Sequence, residues 1–216
     1  MTILKNNLTE LYEYLLLINP DSIVWQKVMA EKKYFFSLCQ AEMALYGKPH
    51  ITLANFVQYR MTEESILKKL REIGSQQHCI DVILQDYDHF GTHTIFVAIR
   101  DKFPFQKLYR MLRGNVYNLM KFNANDKPFI GNNPHLTISR RLEQWQFEKS
   151  WEEYRHKKFS ETFIAKGMYL LRRPVMEKTK YEVVEYIDFS GISAIGLTND
   201  LDGKLKTVGT QLSFFS

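Results

Sequence analysis

Short apolar runs and helix-type spacings alternate along the chain, and this alternation predicts strands and helices in turn. The run Tyr12 to Ile18 is typical of a buried strand. From about Ile23 to Leu45 the chain lacks internal Gly and Pro, apolar residues recur at helical spacing, and Gly47 provides a stop. A strand from Pro49 to Phe56 and a helix capped by Thr62 are predicted next.

The same order of elements is predicted a second time after a strand from Cys79 to Leu84 and a turn at Asp88–Gly91. The second series consists of strands at His93–Ile99 and Pro134–Ser139, helices at Phe105–Met120 and about Glu143–Lys158, and a final antiparallel pair at Thr162–Leu171 and Tyr181–Phe189. Trp25-Gln26-Lys27 also has a counterpart in Phe105-Gln106-Lys107. Nearly equal offsets along most of the chain indicate a duplicated unit.

The duplication predicts an α/β (α+β) fold with two pseudo-symmetric lobes. Each lobe would be an antiparallel or mixed sheet with helices on its outer face, and a central cleft would lie between the lobes. Lobe one would span about residues 10–88 and lobe two about 92–189, within one domain over residues 1–189. Residues 190–216 would form a C-terminal extension.

Composition places the chain among soluble globular proteins, because 45% of its 216 residues are hydrophobic and 25% are charged. Signal-peptide features and long apolar runs are missing, so no membrane association is expected. Cys39 and Cys79 have neither disulfide-framework nor metal-ligand spacing, which favours a reduced, cytoplasmic setting. We expect a monomer. The net charge of +5 mildly favours polyanionic partners.

One motif occurs once in each half of the chain. The strands read Pro49-His50-Ile51-Thr52-Leu53 and Pro134-His135-Leu136-Thr137-Ile138. Because side chains alternate between the faces of a strand, each strand should bury its aliphatic residues and turn its histidine and threonine to the other face. Two such copies at matching places in a repeat predict two imidazoles and two hydroxyls that converge on one cleft.

This set of groups suits the opening of a phosphodiester. Imidazole, with an unperturbed pKa of about 6.5, can accept or donate a proton at neutral pH. Two imidazoles on opposite sides of a phosphorus atom allow one to act as base while the other acts as acid. Threonine hydroxyls can donate to the non-bridging oxygens, where charge develops in the transition state. The sequence does not assign the base and the acid.

The paired His-x-Thr-aliphatic strands resemble those of the 2H phosphoesterase superfamily, most closely its 2′-5′ RNA ligase and cyclic phosphodiesterase branch. The resemblance covers about Tyr12 to Phe189. It implies no metal, no cofactor, and chemistry at a 2′,3′-cyclic phosphate or 2′-5′ linkage, with an RNA end or a small cyclic nucleotide as partner. By motif position it implies catalytic roles for His50 and His135, with Thr52 and Thr137 holding the phosphate.

Other residues become candidates only if the strands are regular. Ser139 and Arg141 would continue the His135 face and could bind substrate, and Lys48 has the same parity before His50. Phe56 and Phe129 could stack a base, although core packing is the alternative. The histidines and threonines could also be ordinary strand residues, and a zinc site or a non-catalytic binding module for RNA ends or cyclic nucleotides are further alternatives.

Overall fold

The structure is a computed structural model that describes residues 10–176 and 179–191. The described chain forms nine strands and five α-helices, of which the strands are β1 (Leu11–Ile18), β2 (Ile51–Tyr59), β3 (Ile80–Phe90), β4 (Thr94–Ile99), β5 (Phe129–Ile130), β6 (His135–Arg140), β7 (Ser160–Ala165), β8 (Gly167–Pro174) and β9 (Glu182–Asp188). The helices are α1 (Ser22–Cys39), α2 (Glu63–Gln76), α3 (Phe103–Asn115), α4 (Tyr117–Met120) and α5 (Gln144–Tyr154). The predicted C-terminal extension lies almost wholly outside the described residues.

The strands form two antiparallel sheets, which confirms the predicted two-lobed α+β architecture with a cleft between the lobes. Sheet A has the order β5-β2-β1-β8-β9, and sheet B has the order β6-β4-β3-β7. One face of sheet A packs against α2, α3 and α4, while α1 and α5 pack on sheet B. The faces that carry no helix line the cleft, and we call them the cleft faces.

The two sheets do not divide the chain at residue 90 as the predicted lobe boundaries do. Strand β3, expected in lobe one, lies in sheet B, and β8 and β9, expected in lobe two, lie in sheet A. Helix α1 likewise follows a strand of sheet A but packs on β6 and β7 of sheet B. Apolar periodicity predicts that a segment is a strand, but the sheet it joins depends on which strand edges meet in three dimensions.

The predicted strand Thr162–Leu171 is two strands in different sheets. Strand β7 ends at Ala165 and β8 begins at Gly167, so the chain passes between the sheets at Lys166 alone. A Cβ at Gly167 would lie 2.5 Å from the carbonyl oxygen of Ile187, so glycine is needed for the close approach of β9. The predicted pair with the last strand is present as β8 and β9.

The first helix is shorter than predicted because it ends at Gln40 rather than near Leu45. Asp21 caps its start, and its carboxylate accepts a hydrogen bond from the Val24 amide at 2.8 Å. Gln40, with φ of 54°, ends the helix in the left-handed conformation, and its amide bonds to the carbonyl of Phe36. A short 3₁₀ turn at Glu42–Ala44 then leads toward β2. The predicted helix Phe105–Met120 is likewise divided, at Val116, into α3 and α4.

Candidate functional site

Both motifs lie where the sequence pattern predicts. The histidine and threonine side chains are partly exposed: His50, Thr52, His135 and Thr137. The aliphatic side chains beside them are fully buried: Ile51, Leu53, Leu136 and Ile138. Each strand is therefore anchored by its aliphatic residues in the core and presents an imidazole and a hydroxyl to the cleft.

Each motif strand carries a β-bulge directly after its threonine. In β2, Thr52 and Ala54 oppose the consecutive residues Leu17 and Leu16, so Leu53 is an extra residue. In β6, Thr137 and Ser139 oppose the consecutive residues Phe96 and Ile95, so Ile138 is extra. The two bulges occupy the same place in the repeat. A bulge reverses the alternation of the residues after it, because one residue has no partner across the ladder.

The bulge in β6 corrects the predicted positions of Ser139 and Arg141. Ser139 pairs with Ile95 on the core face and is fully buried, and its hydroxyl has no hydrogen-bond partner in the described structure. Arg141 lies beyond the strand, exposed, with φ of 55°. Arg140 instead pairs with Thr94 on the face that carries His135 and Thr137. The strand is not regular, so Arg140 takes the place expected of the other two.

The bulge in β2 has the same effect on the side chains after it. Phe56, a candidate for base stacking, is 3% exposed and stacks on Tyr14 in the core at 5.1 Å between ring centroids. Asn55 lies on the face of Thr52 and donates hydrogen bonds to Glu13 and to the Tyr14 carbonyl. Phe129, the other aromatic candidate, pairs with Asn55 and is 53% exposed.

The two imidazoles are held in the same way. The Nδ1 of His50 lies 2.7 Å from the Lys48 carbonyl oxygen, and that of His135 lies 2.8 Å from the Asn133 carbonyl oxygen. A carbonyl only accepts hydrogen bonds, so each Nδ1 must carry a hydrogen and the neutral ring has its lone pair on Nε2. Both acceptors precede a proline, whose fixed φ restricts the backbone that presents the carbonyl.

A short chain segment brings the two motif strands together. Ile130 in β5 pairs with Ala54 in β2, and the Gly131 amide donates to the Leu53 carbonyl at 2.9 Å. Only three residues separate Gly131 from His135, so the start of β6 lies within about 15 Å of β2. Strands β2 and β6 also contact each other directly. The structure therefore places both histidine-threonine pairs on one cleft.

Lys32 is a buried residue of this region that the sequence analysis missed. It lies on the core side of α1, is 3% exposed, and donates from Nζ to the carbonyl oxygens of Ile138 at 2.9 Å and Thr137 at 3.5 Å. The ammonium thus holds the two carbonyls of the β6 bulge. Burial, followed by the charge of Arg140, lowers the pKa of Lys32 to about 8, so it is still mainly charged at neutral pH.

The charges around the histidines are positive. Burial lowers the pKa of His50, and the charges of Lys32, Arg140 and His135 lower it further, against the opposing hydrogen bond from the ring to Lys48. Burial and the charge of Lys102 likewise lower the pKa of His135. Within the described part of the chain, Lys32 and Arg140 have no carboxylate partner. Uncompensated like charges in a cleft favour binding of an anion.

Only one of these two cations leaves a signal in the sequence. Lys32 stands in the stripe of α1 that otherwise contains only Val24, Val28, Phe35 and Cys39 among its buried residues, and a charge in such a stripe requires a specific partner. Arg140 gives no comparable signal, because its orientation depends on the bulge. Regular alternation of side chains along the strand would instead place its two neighbours, Ser139 and Arg141, on the face of His135.

Neither a metal cluster nor a membrane span is found in the residues that the structure describes. No group of three or more His, Cys, Asp or Glu side chains in residues 10–176 and 179–191 could hold a metal ion. In the same residues, no helix is both long and apolar enough to cross a bilayer.

Comparison with known proteins gives a family for this arrangement. The model of the 2′-5′ RNA ligase superfamily matches residues 39–175, a segment that contains both motifs. A search of curated protein sequences finds no match. Among solved structures, E. coli LigT complexed with 3′-AMP aligns over 84% of this chain and 99% of LigT, with 16% identity and a TM-score of 0.59.

A second similar structure is TT0787 of Thermus thermophilus, with 17% identity, a TM-score of 0.57, and coverage of 83% of this chain and 98% of TT0787. A crystal structure described as a phosphoesterase aligns over 82% of this chain and 98% of its own, with 14% identity and a TM-score of 0.53. These similarities show a shared fold. The chain belongs to the 2′-5′ RNA ligase superfamily, a group of 2H phosphoesterases, as the family match establishes.

Proposed function

We propose that the protein is a metal-independent phosphodiesterase that uses His50 and His135 on 2′,3′-cyclic phosphates or 2′-5′-linked RNA ends or nucleotides, with RNA ligation as the reverse reaction. Membership of the superfamily supports a phosphoesterase or ligase activity in general terms. The observation that carries the specific proposal is the pair of imidazoles, one from each sheet, with matching Nδ1 anchors. Both leave Nε2 available for proton transfer.

In hydrolysis of a cyclic phosphate, one Nε2 takes a proton from the attacking water as the oxygen of that water bonds to phosphorus. The bond from phosphorus to one of the two ribose oxygens breaks, and the other imidazole, protonated at Nε2, gives its proton to that oxygen. The Nδ1 hydrogen bonds fix each ring and favour a tautomer suited to the base role. In the ligation direction the two rings exchange roles.

The remaining groups bind the phosphate. Thr52 and Thr137 share the cleft faces with the histidines, and their hydroxyls can donate to the non-bridging oxygens. Arg140 brings a positive charge to the same region, and Lys32 adds a second from beneath the β6 bulge. A bound phosphate would relieve the repulsion among these cations, so part of the binding free energy comes from the charges of the free protein.

The solved relative gives chemical support for this class of ligand. LigT has been crystallised with 3′-AMP, with ATP and with phosphate, which are all phosphate compounds. A cleft of the same fold, lined here by histidines, threonines and Arg140 with the buried Lys32 beneath it, suits a ligand that presents a phosphate, since neither cation has a carboxylate partner in the described residues.

The test is a substrate screen with matched variants. Wild-type protein is incubated with 2′,3′-cyclic mononucleotides, ADP-ribose cyclic phosphate and 2′-5′ dinucleotides, with and without EDTA, beside the double variant His50→Ala/His135→Ala. We expect turnover by the wild type alone, unaffected by EDTA. Binding of a cyclic nucleotide without turnover by the wild type would instead select the alternative, a non-catalytic binding module. Inhibition by EDTA would point to a metal-dependent hydrolase.

A further inference from the structure

A row of side chains leads along the cleft face of sheet A, away from the histidines. Thr52 in β2 pairs with Leu17 in β1, Leu17 pairs with Tyr169 in β8, and Tyr169 pairs with Tyr186 in β9. Directly paired residues of antiparallel strands project to the same face. Because neighbouring strands lie about 4.8 Å apart, Tyr169 is roughly 10 Å from Thr52 along this row.

The row ends in a cavity of about 230 Å³ between the two sheets. The rings of Tyr169 and Tyr186 lie on one side of it, with centroids 4.6 Å apart. Ile164 of β7, which is 55% exposed, lines the side that belongs to sheet B. Gly167 lines it too, and a Cβ there would lie 2.6 Å from the Tyr186 hydroxyl, so the ring rests directly on β8.

The charges at this cavity differ from those around the histidines. Asp21 lines it, Asp188 is close enough to raise the pKa of both tyrosines, and Lys166 is the cation among the lining residues. Burial is the largest cause of the shift and raises the pKa of Tyr186 to about 12, so the hydroxyl is neutral. Carboxylates would repel a phosphate in this cavity. An uncharged ring with polar edges could instead stack on the tyrosine rings and form hydrogen bonds with the polar groups.

We propose that this cavity binds the base of a second nucleotide, attached to the one whose phosphate lies at the histidines. The inference rests on the proposed function and narrows the substrate class to RNA ends of at least two nucleotides. Three observations carry it: the continuous row from Thr52, the ring-lined cavity between the sheets, and the change from cationic to mixed charge. The ribose of the reacting nucleotide then occupies the space over Leu17.

The experiment compares Tyr186→Ala with Tyr186→Phe on two substrates, a 2′,3′-cyclic mononucleotide and a dinucleotide that ends in the same cyclic phosphate. Loss of one stacked base should raise the KM of the dinucleotide about 5- to 100-fold for Tyr186→Ala. The KM of the mononucleotide should stay within twofold. Tyr186→Phe keeps the ring and should behave as the wild type.

Tyr34→Ala is the matched control, because Tyr34 is 42% exposed and lies on α1, where its ring contacts Lys157. It should change neither KM. Equal effects of Tyr186→Ala on both substrates, or no effect on either, would overturn the inference.

Calorimetric binding of the dinucleotide product, which retains a terminal phosphate, gives the same comparison without turnover. If the wild type had no turnover, but Tyr186→Ala still bound the dinucleotide product more weakly than the wild type and the mononucleotide product equally well, the catalytic proposal would be refuted and the base cavity would stand.

Discussion

The two motif strands, β2 and β6, have the same backbone design and different chemical surroundings. Both bulge at the residue after the threonine, Leu53 in one and Ile138 in the other. In both, the carbonyls of the threonine and the bulged residue accept hydrogen bonds from outside the ladder. In β2 the donors are neutral, the Tyr109 hydroxyl and the Gly131 amide. In β6 both bonds come from the charged Lys32.

The first residue after each bulge that faces the cleft is also neutral in β2 and positively charged in β6. In β2 it is Asn55, whose amide is engaged with Glu13 and the Tyr14 carbonyl. In β6 it is Arg140, which has no carboxylate partner in the described part of the chain. The duplication therefore supplied a symmetric pair of imidazoles and hydroxyls, while the substitutions around them made one half of the cleft cationic. Geometry is shared between the halves, and charge is not.

The largest expected effect tests the shared part of the design. His50→Ala and His135→Ala should each lower turnover about 10²- to 10⁴-fold, because each removes one general acid or base. Steady-state rates on a substrate identified in the screen provide the measurement. His156→Ala, at an exposed position at the end of α5, is the control and should be active. A loss of less than twofold in both site variants would refute the two-histidine mechanism.

A smaller effect tests the cationic half. Arg140→Met should raise KM about tenfold to a hundredfold, since it removes a charged hydrogen-bond donor to the phosphate. Arg141→Met is a closely matched control, because it changes the same residue type one position away, outside the strand. We expect it to stay within twofold of the wild type in KM. The reverse order of effects would mean that the bulge does not orient these side chains.

The pH dependence tests whether burial and the nearby cations lower the pKa values of the two histidines. The pKa values of His50 and His135 are both lowered from 6.5, chiefly by burial and then by nearby cations. One ring must be protonated and the other neutral, so kcat/KM of the free enzyme should peak below pH 6.5. Lys32→Met removes a positive charge and should raise the pKa of His50, as measured by NMR titration of the imidazole protons.

Two variants of α1 separate charge from packing in this experiment. Lys32→Arg keeps the charge and should leave the pKa of His50 close to the wild-type value. Lys33→Met removes an exposed neighbouring charge and should also leave it nearly unchanged. If Lys32→Met and Lys33→Met gave the same His50 titration, the charge of Lys32 would not act on the site.

The smallest effect concerns Ser139. Its buried hydroxyl has no partner among the described residues, so Ser139→Ala removes a polar group that burial penalises. We expect turnover within twofold of the wild type and a free energy of unfolding that is unchanged or higher by about 1 kcal/mol. Denaturant unfolding and steady-state kinetics measure the two. A strong loss of activity would place Ser139 at the substrate, as regular strand parity predicts.

The sequence by itself determined the elements and the motif faces. Aliphatic residues on either side of a histidine and a threonine are sufficient to orient a strand, because one face must be buried. For this reason His50, Thr52, His135 and Thr137 could be located in advance, as could the two-lobed fold. Helix α5 was also predicted with its start near Glu143, where the structure shows a capping box between Glu143 and Gln146.

Only the tertiary structure decided which sheet each strand joins and how the residues after each threonine are oriented. A bulge exists in the register between two strands, so Ile138 becomes an extra residue only when β4 lies beside it. This one-residue shift in register buries Ser139 and turns Arg140 to the cleft. The approach of Lys32 from α1 to the β6 carbonyls likewise depends on a helix that crosses from one sheet to the other. Periodicity along a chain records the burial of its own side chains, whereas register and crossing depend on partners distant in sequence.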